Sequence, residues 1–152
     1  MIAQSILSSL IIIPIIGALF IALLIKGDSA TAQQNAKSAA LAITLVNFAL
    51  SLLLFKGFNH ASTAYQFVEQ YEWFVGQGIS YHVGIDGISL YLVLLTTLLM
   101  PICILAGWNT ISLRVKEYLI AFLLLEALVI GTFCALDAIL FYLFFEAVLI
   151  PM

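Results

Sequence analysis

Two carboxylates lie inside apolar stretches of the sequence, where a charged side chain is rare unless it has a function. Glu126 follows a run of leucines, and Glu146 stands among aromatic and aliphatic residues close to the carboxyl end. A charge at the centre of a membrane helix costs at least about 2.5 kcal/mol, and such groups commonly mark ion or proton pathways. Glu126 and Glu146 are therefore the candidates for carrying protons across a membrane.

A tight turn predicted around Asp137 makes the helices that carry the two glutamates antiparallel neighbours. Glu126 lies 11 residues before Asp137 and Glu146 lies 9 residues after it. At about 1.5 Å per residue, both lie roughly 13–17 Å from the turn, at nearly the same depth. Two such carboxyl groups could share a polar cavity and exchange protons through water, because apolar surroundings favour the protonated form.

The alternative is that each glutamate only hydrogen-bonds a neighbouring helix and strengthens its packing. Neither helix carries a basic residue at the depth of the glutamates. A lysine that pairs with Glu146 therefore has to come from elsewhere.

Composition places the chain in a membrane. Of its 152 residues, 64% are hydrophobic and only 9% are charged, with a mean hydropathy of +1.21. A soluble domain has roughly 25% charged residues. The net charge is −3 and there is no basic block, so the sequence lacks the basic surface that nucleic-acid binding requires.

The hydropathy pattern predicts an all-α integral membrane protein with about five transmembrane helices in a single membrane segment, 1–152. The predicted helices cover about 5–25, 38–55, 86–107, 118–134 and 138–152. The first has no basic residue before it and is long enough to span a bilayer, so we interpret it as a retained helix rather than a cleaved signal peptide.

The fifth predicted helix is incomplete. Its 15 residues rise about 22 Å, against a hydrocarbon core of about 30 Å. A chain end at that depth leaves backbone carbonyls unsatisfied in lipid. We therefore expect that the sequence is a fragment, or that a partner chain continues the fold.

Two features of the connections bear on topology. The connection over 57–83 is predicted either as a short extended segment or as an amphipathic interfacial helix, and its aromatic residues fit both. Basic residues favour the cytoplasmic or matrix side, which places the first and third connections inside and the amino terminus outside. Four basic residues lie in the first and third connections and one in the second: Lys26, Lys37, Arg114 and Lys116 against Lys56.

The remaining polar residues favour structural interpretations. Asp86 and Asp137 are predicted as amino-terminal helix caps, and His82 as an interfacial side chain for which a titrating role outside the membrane stays open. Cys103 and Cys134 lie in apolar runs and are interpreted as small buried hydrophobes. The sequence has no nucleotide-binding loop, nucleophile constellation, metal-ligand spacing, or haem or iron–sulfur pattern.

Five strings of the sequence carry a resemblance to known proteins: FVEQYEW (67–73), YHVGIDGISL (81–90), TTLLMPICILAGW (96–108), KEYLIAFLLLE (116–126) and FYLFFEAVLIPM (141–152). Together they resemble one family, the antiporter-like membrane subunits of respiratory complex I represented by chain M of bacterial NADH:quinone oxidoreductase and mitochondrial NADH dehydrogenase subunit 4. The resemblance covers essentially the whole chain in order, and the closing string is the most specific.

The resemblance implies that this chain is the first part of a fourteen-helix subunit that pumps protons with energy from NADH-to-quinone electron transfer. Glu146 matches the family's essential glutamate on helix five, which pairs with a lysine on helix seven, and Glu126 matches an acidic position on helix four. The implied partners are the other membrane subunits, the lipid bilayer and a chain supplying the later helices. The implied location is the bacterial plasma membrane or the mitochondrial inner membrane.

The resemblance also implies that this chain binds no cofactor and carries no redox centre, because NADH, FMN, iron–sulfur clusters and quinone belong to other subunits. Two alternatives stay open. One is a subunit of a multi-subunit cation/proton antiporter, whose large subunits share the helix-five glutamate. The other is a truncated membrane scaffold without a transport role.

Overall fold

The computed structural model describes residues 5–24, 29–62, 64–74 and 79–152. Within these residues the chain forms helices α1 (Ile6–Leu24), α2 (Ala30–Gly57), α3 (Gly87–Ala106), α4 (Val115–Cys134) and α5 (Ala138–Val148), and strands β1 (Gln66–Phe74) and β2 (Ile79–Ile85). Helices α1 to α4 are long and apolar enough to cross a membrane, whereas α5 is shorter. The predicted class of all-α integral membrane protein is confirmed, with one small sheet added.

Helix α2 begins at Ala30, eight residues before the predicted start at residue 38. The prediction followed hydropathy and stopped where alanine and glutamine replace larger apolar side chains, although both residue types favour helix. Ser29 caps the helix by accepting a hydrogen bond from the backbone nitrogen of Ala32 at 3.2 Å. Helix α4 likewise begins three residues early, at Val115. The predicted end of the first helix at residue 25, and Lys26 beyond it, lie outside the described residues.

Helix α5 ends at Val148, so its predicted continuation to residue 152 is wrong. Proline has no backbone N–H and disfavours helical geometry in the residue before it. Pro151 therefore stops the helix one turn early. The backbone nitrogens of Leu149 and Ile150 donate to carbonyls three residues back, a tightened arrangement common in a last turn.

The connection between α2 and α3 forms an antiparallel two-stranded sheet, so its extended interpretation is confirmed and the interfacial helix is wrong. Tyr71 of β1 pairs with Tyr81 of β2. The strand register shifts between Gln66 and Glu69, where Phe67 has a positive φ of 54°. This irregularity bends the strand locally.

The sheet is tied to the short connection between α4 and α5. Val83 of β2 forms a bridge with Ala135, and the backbone nitrogen of Leu136 donates to the carbonyl of His82 at 2.9 Å. The sheet, the α4–α5 connection and the start of α3 therefore lie at the same end of the helix bundle.

Buried side chains form two apolar clusters at opposite ends of the bundle. The cluster nearer the sheet includes Leu7, Leu10, Leu54, Val83, Leu90, Val93, Ile130 and Cys134. The cluster nearer the α3–α4 connection includes Ala18, Ile21, Ala36, Ala40, Ile104, Val115, Leu119 and Leu123. Since each of α1 to α4 contributes to both clusters, the residues between them lie near the middle of the bundle.

Candidate functional site

Between the two apolar clusters lies a set of buried polar side chains, which we call the polar layer. Its members are Thr44, Asn47 and Ser51 of α2, Thr97 of α3 and Glu126 of α4. The three residues of α2 are spaced three and four positions apart, which puts them on one helix face. That face meets α3 at Thr97 and α4 at Glu126.

Glu126 has no exposed surface, and its described partner is an amide. The side-chain nitrogen Nδ2 of Asn47 donates to Oε1 of Glu126 at 2.8 Å. The other two oxygens of the pair, Asn47 Oδ1 and Glu126 Oε2, have no hydrogen-bond partner among the described residues. An unpaired polar atom in such a place is costly. Nearly all buried polar side-chain atoms in proteins have a partner, so these two orphaned oxygens need an explanation.

A pair of hydroxyl groups lies one helical turn from Asn47. The hydroxyls of Ser51 and Thr97 are 2.8 Å apart, and either can donate to the other. Each also lies within hydrogen-bond distance of its own helix backbone: Ser51 of the Phe48 carbonyl, and Thr97 of the Val93 and Leu94 carbonyls. Because each hydroxyl has one proton and more than one acceptor, the pair can switch its direction of donation.

Pro101 adds a further polar group at this level. A proline inside a helix cannot donate to the carbonyl four residues earlier, which here belongs to Thr97. The Thr97 carbonyl therefore lacks its usual α-helical donor, beside the Ser51–Thr97 hydroxyl pair. The middle of the bundle thus combines a carboxyl, an amide, hydroxyls and a freed carbonyl in otherwise apolar surroundings.

Glu146 lies in different surroundings from Glu126. Helix α5 buries Leu140 and Phe144, while Glu146 is exposed on the described surface, two residues beyond Phe144. Two residues along a helix rotate a side chain by roughly 200°, so Glu146 faces away from the packed side. Tyr142, one turn earlier, hydrogen-bonds with its carboxylate.

The two glutamates lie at comparable depths but do not meet. Glu126 precedes Cys134, the end of α4, by eight positions, and Glu146 follows Ala138, the start of α5, by eight. Among the described residues no hydrogen bond joins their carboxyl groups. Helix α4 turns Glu126 towards α2, while α5 turns Glu146 outward. A cavity shared by the two carboxyl groups therefore stays a prediction.

Close packing holds α5 against α4. A Cβ atom on Gly131 would lie 2.8 Å from two ring carbons of Phe144. The absence of a side chain at Gly131 thus lets the aromatic ring approach the α4 backbone, as small residues commonly do in membrane helix pairs.

A second buried carboxylate, Glu69 of β1, is not among the predicted functional residues. Its side chain accepts hydrogen bonds from the backbone nitrogens of Leu7 at 2.9 Å and Ser8 at 3.3 Å, and from the Ser8 hydroxyl. Free amides and the helix dipole favour a negative charge at the start of α1. The Ser8 hydroxyl also lies 2.9 Å from that of Tyr81, where desolvation raises the tyrosine pKa. Glu69 thus connects the sheet to α1.

The predicted caps are confirmed. Asp86 Oδ1 accepts from the backbone nitrogen of Ser89 at 2.7 Å, and Asp137 Oδ1 from that of Ile139 at 2.9 Å. The bond from Ser89 lowers the pKa of Asp86. Cys134 is buried in the cluster nearer the sheet and Cys103 is half-buried. Within the described ranges, no group of three or more potential ligands could hold a metal ion.

Asn47, the partner of Glu126, is not among the predicted site residues, although the sequence carries a signal for it. Asn47 is the one amide in an otherwise apolar stretch, and Thr44 and Ser51 share its helix face. Such a stripe inside a membrane helix indicates a buried polar interface. No signal of this kind exists for Glu69, whose burial involves contacts with the distant residues Leu7 and Ser8.

Comparison with known proteins gives a consistent result. A family model described as NADH-ubiquinone oxidoreductase chain 4, amino terminus, matches residues 9–135. The chain is 50% identical over 149 residues to an NADH-quinone oxidoreductase subunit M from Rhodobacter capsulatus, covering 98% of this chain and 28% of that protein. It is 44% identical over 146 residues to an NADH-ubiquinone oxidoreductase chain 4 from Mycosarcoma maydis, covering 96% of this chain and 30% of that protein. It is 45% identical over 146 residues to an NADH-ubiquinone oxidoreductase chain 4 from Arabidopsis thaliana, covering 96% of this chain and 29% of that protein. The chain thus spans less than a third of the length of these relatives.

Proposed function

Because this chain belongs to the family of NADH-ubiquinone oxidoreductase chain 4, we propose that it forms the amino-terminal part of a proton-translocating membrane subunit of NADH:quinone oxidoreductase. In this proposal Glu126 and Glu146 carry protons, while NADH, FMN, iron–sulfur clusters and quinone are bound by other subunits. The partners are the other membrane subunits and the segment that supplies the later helices. The location is a bacterial plasma membrane or a mitochondrial inner membrane.

One observation carries this proposal: Glu126 is fully buried at mid-height of the bundle, and its described partner is a neutral amide rather than a cation. A purely structural carboxylate in a membrane is normally fully hydrogen-bonded or paired with a positive charge. Glu126 has one bonded oxygen and one orphaned oxygen. This arrangement suits a carboxyl group that is reversibly protonated.

The surroundings of Glu146 give a second argument for the proposal. It is exposed on an apolar face of α5, next to large exposed side chains such as Phe145 and Leu149. A carboxylate there is unfavourable in lipid unless a further segment covers it with a polar or basic partner. We propose that a lysine of a later helix supplies this partner and that its approach controls protonation of Glu146.

The proposal is tested with the complete subunit in its assembled complex. Glu146→Gln keeps the shape of the side chain but cannot titrate, so NADH-driven acidification of membrane vesicles should fall to near the background level. Glu126→Gln should give a smaller loss if neighbouring groups can relay the proton. Electron transfer from NADH to an artificial acceptor reports whether the complex is assembled.

Glu117→Gln is the matched control. Glu117 is also a carboxylate of α4, but it is exposed and forms a surface ion pair with Arg114 at 3.7 Å. Removing such a pair costs little, so acidification should stay normal. Normal acidification in the Glu146→Gln complex would overturn the proposed role of that residue.

A further inference from the structure

The Asn47–Glu126 pair is chemically incomplete when the carboxyl group is ionised. Asn47 Nδ2 donates to Glu126 Oε1 at 2.8 Å, and neither side chain has any exposed surface. Asn47 Oδ1 and Glu126 Oε2 lack partners among the described residues. Both orphaned atoms are acceptors when the glutamate is charged, so neither can satisfy the other.

A single proton changes this balance. An amide group carries a donor and an acceptor on one carbon, and so does a protonated carboxylic acid. With a proton on Oε2, Glu126 can donate to Asn47 Oδ1 while Oε1 still accepts from Nδ2. Such a pair would be joined by two hydrogen bonds, and both orphaned oxygens would then have a partner.

We propose that Asn47 and Glu126 together form a proton-binding site, in which the proton resides on Oε2 of Glu126 and is shared with Oδ1 of Asn47. Asn47 is a positioning residue that makes the neutral form of Glu126 complementary to its surroundings at neutral pH. The use of this proton in transport rests on the function proposed above, whereas its binding does not.

The charged groups on the neighbouring elements lie far along the helices from this pair. Lys37 precedes Asn47 by ten positions and donates to the Trp108 carbonyl, and Lys56 follows Asn47 by nine. Ten residues of helix span about 15 Å. Helix α1 has no titratable side chain over Ile6–Leu24. The other titratable side chains on α3, α4, α5 and β2 are Tyr91, Cys103, Lys116, Glu117, Tyr118, Cys134, Tyr142, Glu146, Tyr81 and His82. None of these groups is hydrogen-bonded or ion-paired with Glu126 in the part of the chain that the structure describes.

The experiment is infrared spectroscopy on the assembled complex in lipid at neutral pH, in which the spectrum of each variant is subtracted from that of the unmodified complex. The carbonyl stretch of a protonated carboxyl group absorbs apart from that of a carboxylate. The unmodified complex should show such a band, and Glu126→Gln should remove it. Asn47→Leu should move it to higher wavenumber, because Oε1 then loses its donor. Asn47→Ala serves as a second variant if the leucine variant does not assemble.

Two controls should leave the band unchanged. Thr132→Val removes a half-buried hydroxyl of α4 that donates to the Leu128 carbonyl, and Glu117→Gln removes a surface carboxylate. Absence of a band that depends on Glu126 would overturn the proposal, since a water donating to both orphaned oxygens would then be the explanation. A band that Asn47→Leu and Asn47→Ala leave unmoved would also overturn it.

Proton pumping in the same variants separates this inference from the proposed function. A band that depends on Glu126, with normal pumping after Glu126→Gln, would support the proton site and contradict a transport role for Glu126. If Glu126→Gln abolishes pumping but no band depends on Glu126, the proton-binding site is contradicted and the transport role of Glu126 still stands.

Discussion

Glu126 and Asn47 are separated by 79 positions in the chain, yet they form a direct contact in the middle of the bundle. Glu126 could be singled out from the sequence as one charge in an apolar run. Its partner could not, because α2 offers a whole face of small and polar side chains, and only packing selects which of them meets α4. Glu69 was harder still to predict from the sequence, since its burial rests on contacts with α1, which lies about sixty positions earlier in the chain.

Asp86 caps the start of α3 with a single carboxylate. Its cap should contribute about 1 kcal/mol to folding, so Asp86→Ala should lower the thermal unfolding midpoint of the complete subunit in detergent. The hydrogen bond from Ser89 lowers the pKa of Asp86 below the ordinary value of 3.8. The charged form therefore stabilises the fold fully above that value, and this stabilisation is lost as the pH falls through the lower folded-state pKa.

Asp86→Asn is the matched comparison, because asparagine caps helices about as well but does not titrate. Between Asp86→Asn and the unmodified protein, the difference in stability should therefore change only at acidic pH. A constant difference across the acidic range would contradict a titrating cap.

At the scale of elements, helix positions could be predicted from hydropathy, but helix ends and the extramembrane segment could not. The start of α2 is polar and alanine-rich, so it is helical by propensity and by the Ser29 cap rather than by apolar periodicity. The sheet alternates aromatic and polar residues in a way that an interfacial helix also permits. Backbone pairing with Ala135 and Leu136, from a distant part of the chain, favours the extended form.

Helices α4 and α5 approach closely where Phe144 packs against Gly131. Gly131→Val should force Phe144 away from α4, because even the first added carbon would lie 2.8 Å from the ring. Overpacking of this kind costs roughly 1–3 kcal/mol. The thermal unfolding midpoint should fall, and Phe144→Leu in the same chain should restore part of it.

Gly87→Ala is the control for that change, since a Cβ at Gly87 would meet nothing within 4 Å. It should leave the unfolding midpoint nearly unchanged. Equal destabilisation by the two glycine substitutions would show that the Phe144 contact is not the cause. A double-mutant cycle between positions 131 and 144 measures the coupling directly.

For the whole molecule, the membrane orientation stays a prediction from charge. Among the described basic residues, Lys37, Arg114 and Lys116 lie towards the α3–α4 connection, while Lys56 lies towards the sheet. The sheet end should therefore face outside. Tyr71→Cys and Leu113→Cys, both at exposed positions, should react with a membrane-impermeant maleimide from outside and from inside, respectively.

The chain with only its native Cys103 and Cys134 gives the background labelling for this experiment. Reaction of Leu113→Cys from outside in intact cells would reverse the predicted orientation. The sealed state of the membranes is checked by labelling after permeabilisation, when both variants should react.

The backbone ties between β2 and the α4–α5 connection restrict how α5 can move. Ala135 and Leu136 are both bonded to the sheet, so the start of α5 is anchored there. Glu146 lies eight residues from that anchored start, a lever arm of about 12 Å. A swing of about 10° displaces the carboxyl group sideways by about 2 Å at constant depth. A displacement of that size is enough to make or break a hydrogen bond, so a small tilt of α5 would change the contacts of Glu146 without moving the anchored start of the helix.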